Sequence, residues 1–119
     1  MKRFIGETIT KIEGGVGDKW IVFSCASGKK FKMLHERDCC EDVHVDEIIG
    51  DIQDVIGSPI VLAEESTSNE NPEGVKIDYQ DSFTWTFYRL GTIRGDVVIR
   101  WYGESNGYYS EDVDIEEIK

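Results

Sequence analysis

Apolar and polar residues alternate along much of this chain with the two-residue period of a β-strand. Residues 7–13 do so with Ile9 or its neighbours facing in, and the glycine-rich stretch 14–18 then turns the chain. Trp20 to Ala26 is rich in β-formers, Ser27-Gly28-Lys29 is a second turn, and Lys30 to His35 alternates again. Phe31, Met33 and His35 share one face there. These pieces predict a meander. Ile60 to Glu65 reads as a further strand. Ser82 to Thr92 sets Phe83, Trp85 and Phe87 against Thr84, Thr86 and Tyr88, the first set being expected in the core. Val97 to Tyr102 sets Val97, Ile99 and Trp101 against Val98, Arg100 and Tyr102. Residues 92–96 join the last two strands as a hairpin, and 108–118 supply an edge strand or short tail.

One segment carries the helical period instead. Ile48, Ile49, Ile52, Val55 and Ile56 recur at i, i+3, i+4 and predict an amphipathic helix over about 46–56. Asp46 is its expected N-cap, and Gly57-Ser58-Pro59 its stop. Ser, Asn, Pro, Glu and Gly crowd residues 66–81, which read as a mobile loop. The expected fold is therefore α+β: a mainly antiparallel sheet of about six meandering strands with one amphipathic helix packed on it. It spans residues 1–119 as a single domain.

Length and composition leave that picture intact. At 119 residues, 39% of them hydrophobic, the chain can bury a core without a metal or disulfide framework. No apolar run approaches the ~18 residues of a membrane span. The first residues turn polar too soon for a signal peptide, so the expected location is cytoplasmic. Three cysteines, two of them adjacent, fit a reducing compartment better than a disulfide framework.

Charge changes the picture more. The net charge of −11 argues against direct binding to a nucleic-acid backbone. It is also uneven: residues 1–32 carry an excess of Lys and Arg, whereas 33–54 and 103–119 are strongly acidic. Such acid serves solubility, or it mimics a polyanion for a basic partner.

Three constellations could carry chemistry. His35, Cys39, Cys40 and His44 offer imidazole and thiolate, the ligands of zinc, but adjacent cysteines without a CxxC or HxxxH pair lack the usual chelate spacing. His35, Cys39 and Cys40 are the weak metal candidates, and Cys39 with His35 as base is a cysteine-nucleophile alternative. Otherwise the segment is a turn with one buried thiol. Trp101 to Glu111 combines Tyr102, Tyr108 and Tyr109 with Ser105, Asn106 and two glycines, a set able to stack on a flat ligand and bond its edges. Equally, Asn106-Gly107 is a plain turn and the tyrosines cover a sheet edge. Thr84, Thr86 and Tyr88 form a polar strand face on which Arg100 could hold a phosphate, or make a surface ion pair worth little. No P-loop, GxGxxG, GxSxG or HExxH motif is present.

The runs His35 to Glu41, Ile49 to Ile52, Ile56 to Ile60, Ala63 to Glu65, Asp81 to Tyr88 and Ile99 to Glu111 together resemble a family of small uncharacterised proteins carried by phages and prophages of Gram-positive bacteria. The resemblance covers roughly residues 20–118, and His44 falls outside its pattern. It implies a context rather than an activity: small phage proteins often inhibit host defence proteins, mimic DNA, or sequester nucleotide-derived immune signals. The expectation is a non-enzymatic, anti-defence binding protein without cofactor. Its partner would be a nucleotide-like ligand held by Arg100, Tyr102, Ser105, Asn106, Tyr108, Tyr109, Thr84, Thr86 and Tyr88. An acidic, protein-directed inhibitor or DNA mimic acting on a host defence protein is the alternative, and a metal-dependent or cysteine enzyme the second. Assembly into a homo-oligomer is compatible with each.

Overall fold

The computed structural model describes residues 1–37, 40–77, 80–107 and 109–118. Among these residues, eight strands form two four-stranded antiparallel sheets. β1 (Ile9–Glu13), β2 (Trp20–Cys25) and β3 (Lys30–Leu34) make the expected meander, with β8 (Asp114–Ile118) paired to β3. β4 (Asp42–Ile49), β5 (Leu62–Ser68), β6 (Ser82–Thr92) and β7 (Gly95–Ser105) make the second sheet in the order β4-β7-β6-β5. Ile21, Phe23, Phe31 and Met33 from the first sheet join Val45, Tyr88, Leu90, Ile99 and Trp101 from the second in one buried core. Phe4 closes one side of it, edge-on to Phe23 with ring centroids 5.2 Å apart.

The predicted helix is absent, and the α+β expectation is corrected to an almost entirely antiparallel β fold. The expected six-stranded single sheet is likewise replaced by eight strands in two sheets. Residues 42–49 are β4, followed by a short 3₁₀ turn over Ile52–Val55. The β-branched residues Val43, Val45, Ile48 and Ile49 favour the extended chain. A bulge between Val45 and Glu47 shifts the strand register by one residue. That shift, and the 3₁₀ turn after it, place Ile48, Ile52, Val55 and Ile56 against the core at spacings that mimic a helix. Ile49, which a helical stripe would bury, is 48% exposed. Asp51, not Asp46, is the cap, accepting from the Gln53 N–H at 3.0 Å. Gly50 takes φ +105°, and a Cβ on it would stand 2.8 Å from the Asp96 carbonyl oxygen, so the turn out of β4 needs glycine. Among the described residues, no helix is long and apolar enough to cross a membrane.

The β6–β7 hairpin forms as expected, but the faces of β6 differ from the sequence reading. Its two-residue turn, Ile93-Arg94, pairs Thr92 with Gly95, and that register sets Thr86 opposite Trp101, Tyr88 opposite Ile99 and Leu90 opposite Val97. Thr86, Tyr88 and Leu90 therefore face the core, while Phe83, Trp85 and Phe87 line the opposite face with Arg100 and Tyr102. Both faces of β6 carry large apolar groups, so alternation alone could not choose between them.

The Tyr88 hydroxyl is buried and donates to the Val113 carbonyl at 3.1 Å, tying β6 to the lead-in of β8. Burial pushes its ionisation well above the ordinary range, and Glu65, Asp114 and Asp112 add to the shift. An unfolded tyrosine loses its proton near pH 10 while the folded one holds it, so the folded state binds more protons and stability falls as pH rises past about 10. Urea unfolding at pH 8 and pH 11 should show this loss. Tyr88→Phe should cost about 1 kcal/mol at pH 8 for the lost hydrogen bond, and should flatten the alkaline decline.

Candidate functional site

The outer face of the second sheet, turned away from the core, gathers the richest chemistry. One half is an aromatic cluster under a loop. Tyr102 lies 4.6 Å from Trp85, stacks on Phe83 at 6.3 Å and meets His44 edge-on at 6.1 Å, between ring centroids. Asn71 accepts from the Trp85 indole N–H at 3.0 Å and exchanges hydrogen bonds with Gln80, whose amide donates to the Tyr102 hydroxyl at 2.9 Å. Asn69 donates to the Phe83 carbonyl. The polar stretch read as a mobile loop thus contributes three side chains that latch over the aromatics, and β5 runs on to Ser68 before it begins. Under this cover Tyr102 is 7% exposed. Burial raises its ionisation, opposed by the Gln80 hydrogen bond and reinforced by Glu104, Glu111 and Asp42.

Arg100 borders the cluster. Its guanidinium sits 5.1 Å from the centroid of the Trp85 ring and bonds Asp46 through Nε and Nη2, at 3.0 and 2.7 Å, and Glu47 through Nη2 at 2.9 Å. Two carboxylates and an indole occupy the cation that the sequence offered to a phosphate. The β4 bulge explains this: it turns both Asp46 and Glu47 to the side of Arg100.

The other half of the face is open. Phe87 and Val98 floor a hollow of about 260 Å³ walled by Glu64, Glu65, Ser66 and Arg89. Ile49, half exposed, pairs across β4 with Val98 and extends the apolar floor. Arg89 is held by Asp96 at 3.2 Å. Apolar ground with carboxylates at its margins, and arginines already neutralised, suits a protein surface better than an anion.

A second polar group lies at the end of the molecule where β3 and β7 finish and β4, β6 and β8 start. His35 bonds the Asp112 carbonyl through Nδ1 at 2.6 Å and Glu41 through Nε2 at 2.9 Å. Both side chains of that pair are buried. Close by in the fold, Glu111 accepts from Thr84 at 2.8 Å and from Ser105. The Ser105 oxygen also takes the Gly107 N–H at 3.0 Å. Gly103 lets this happen: a Cβ there would come within 2.8 Å of the Glu111 carbonyl. Ser105 donates to the Glu111 carboxylate, and both His35 nitrogens are engaged.

The sequence-predicted ligand residues do not share one surface. Thr84, Thr86 and Tyr88 face the core side of β6, whereas Arg100 and Tyr102 lie on the opposite face. Thr86, Tyr88, Tyr102 and Ser105 are buried, Tyr109 is half-buried and Asn106 is exposed. Tyr108 and Cys39 lie outside the described residues. Of the metal candidates, His35 is turned into the Glu41 pair and Cys40 is disulfide-bonded, which runs against the reading of free thiols. No cluster of three metal-ligating groups occurs among the described residues. Cys25 is buried, which pushes its thiol up, with Glu7 adding and Lys29 opposing. Sequence reasoning missed Glu41, Glu111, Asn71 and Gln80, because isolated polar residues in turns carry no periodic signal.

The chain matches the family model described as "Domain of unknown function (DUF7448)" over residues 2–115, and it belongs to that family. No curated protein and no solved structure matches it.

Proposed function

We propose that this DUF7448 protein is a non-enzymatic binding protein directed at a basic protein partner, with the open half of the outer sheet face as its contact surface. The resemblance to phage-borne proteins makes that partner a host defence protein. The observation that carries the reading is the apolar floor of Ile49, Phe87 and Val98, bordered by the exposed carboxylate of Glu64, with Arg89 and Arg100 both already ion-paired. An apolar centre with charged margins is how protein contacts are built, and an unneutralised acidic margin selects a basic surface. A nucleotide signal fits less well, since Arg100 would have to leave two carboxylates to receive a phosphate.

Affinity capture from a Gram-positive host lysate at low salt tests this. The wild-type protein and a Lys19→Gln control, on the exposed turn before β2, should retain the same partner. Glu64→Lys with Phe87→Ser should lose it about tenfold or more, equivalent to about 1.4 kcal/mol. Equal capture by the double variant, or calorimetric binding of a cyclic nucleotide that the double variant leaves unchanged, would refute the reading.

A further inference from the structure

The free edge of β5 gives that surface a mode of recognition. In the β4-β7-β6-β5 sheet the two edges are β4 and β5. The β4 edge is bulged, and Val45 in its middle is already engaged, donating to the Asp18 carbonyl and accepting from the Gly17 N–H. β5 is different. Its seven residues pair with β6 in unbroken register from Leu62↔Gly91 to Ser68↔Trp85. Glu64, Glu65, Ser66 and Thr67 are exposed, and among the described residues no strand lies on the other side. An unbulged strand whose outer side pairs with no other strand among the described residues is a template for a further strand.

The side chains say which strand it accepts. A second copy of β5 laid antiparallel would bring Glu64 and Glu65 close to their own counterparts, and like charges across a ladder oppose pairing. The same carboxylates favour Lys or Arg on an incoming segment. Ser66, which shares a face of β5 with Glu64 and stands opposite Phe87, is small. Strands lie about 4.8 Å apart, so Phe87 on β6 sits about 10 Å from an added strand, within reach of an arginine side chain passing over Ser66. That side chain would enter the hollow floored by Phe87 and Val98 and lay its methylenes on them, its guanidinium beside Glu64. We propose that the β5 edge binds an extended basic segment of the partner protein by strand addition, with one long basic side chain seated in the Phe87–Val98 hollow. This rests on the acidic-face reading above and specifies its geometry.

The probe is an acetylated, amidated heptapeptide of alternating arginine and valine, with two further versions N-methylated at every second residue in opposite phases. A strand added to an edge uses only alternate N–H groups for pairing. One phase of methylation should therefore weaken binding about tenfold or more, and the other should change it little. Bound peptide should also slow amide exchange within residues 62–68, and Glu64→Lys should weaken it. Equal effects of the two methylation phases, or unchanged exchange in β5, would overturn strand addition. The broader reading would then stand or fall on the lysate capture, which does not depend on strand geometry. Absence of binding by the unmethylated peptide at low salt would also overturn the edge proposal.

Discussion

Trp85→Ala is expected to destabilise the protein by about 3–5 kcal/mol, the usual cost of truncating a fully buried tryptophan. The size is unexpected for a residue on the sheet face that points away from the core. Trp85 is only 1% exposed because Asn71, Tyr102 and Arg100 enclose it. Truncation removes the indole that the loop latches onto and the ring beneath Arg100. The loss should therefore appear twice. Urea unfolding should report the global cost, and limited trypsin digestion should cut faster after Lys76, exposed within the 69–80 loop. Trp85→Phe separates the contributions: it keeps a ring under Arg100 but loses the hydrogen bond to Asn71, so trypsin sensitivity should rise more than stability falls. An alanine variant with wild-type digestion kinetics would show that the loop is held by other contacts.

His35→Ala should cost about 2–4 kcal/mol, the second large effect. His35 joins three parts of the chain: its own strand end after β3, Glu41 ahead of β4 and the Asp112 carbonyl ahead of β8. Hydrogen bonds to a buried carboxylate are worth about 1.5–3 kcal/mol, and breaking a buried pair costs more than a surface one. His35→Gln, able to reach one partner but not both, should fall between wild type and alanine. Thermal unfolding with hydrogen exchange at β8 would check this. Exchange in residues 114–118 should accelerate more than in β6, since β8 loses an anchor beside its start. A change of less than about 0.5 kcal/mol would mean that the pair is dispensable to the fold.

The parts of this fold legible in the sequence are those where one period has one cause. β1 to β3 alternate cleanly with glycine turns between them, and the β6–β7 hairpin follows from alternation on both sides of a tight turn. The helix reading of 46–56 failed because a bulge and a 3₁₀ turn together imitate a 3.6-residue period. The facing of β6 failed for the opposite reason, since Phe83, Trp85 and Phe87 outweigh Thr86 and Tyr88 in hydrophobicity, yet hairpin register decides. Reading Ile93-Arg94 as a two-residue turn would have recovered it from the well-read face of β7. The site was less legible still. Arg100 was singled out for a phosphate, but its partners Asp46 and Glu47 lay in the supposed helix. The edge of β5 appears only once the order of strands is known.

β8 pairs with β3 although Leu34 and Asp114 stand 80 residues apart in the sequence. During synthesis the meander is therefore made first, and β3 waits with a naked rim until residues 114–118 have left the ribosome. Distant pairings of this kind slow folding, and exposed rims invite intermolecular pairing. The lysines of β3, Lys30 and Lys32, keep that waiting rim charged, and Lys32 stands opposite Glu116 in the finished sheet. Those positive charges would thus guard the nascent chain, repelling other nascent copies until its own acidic strand arrives.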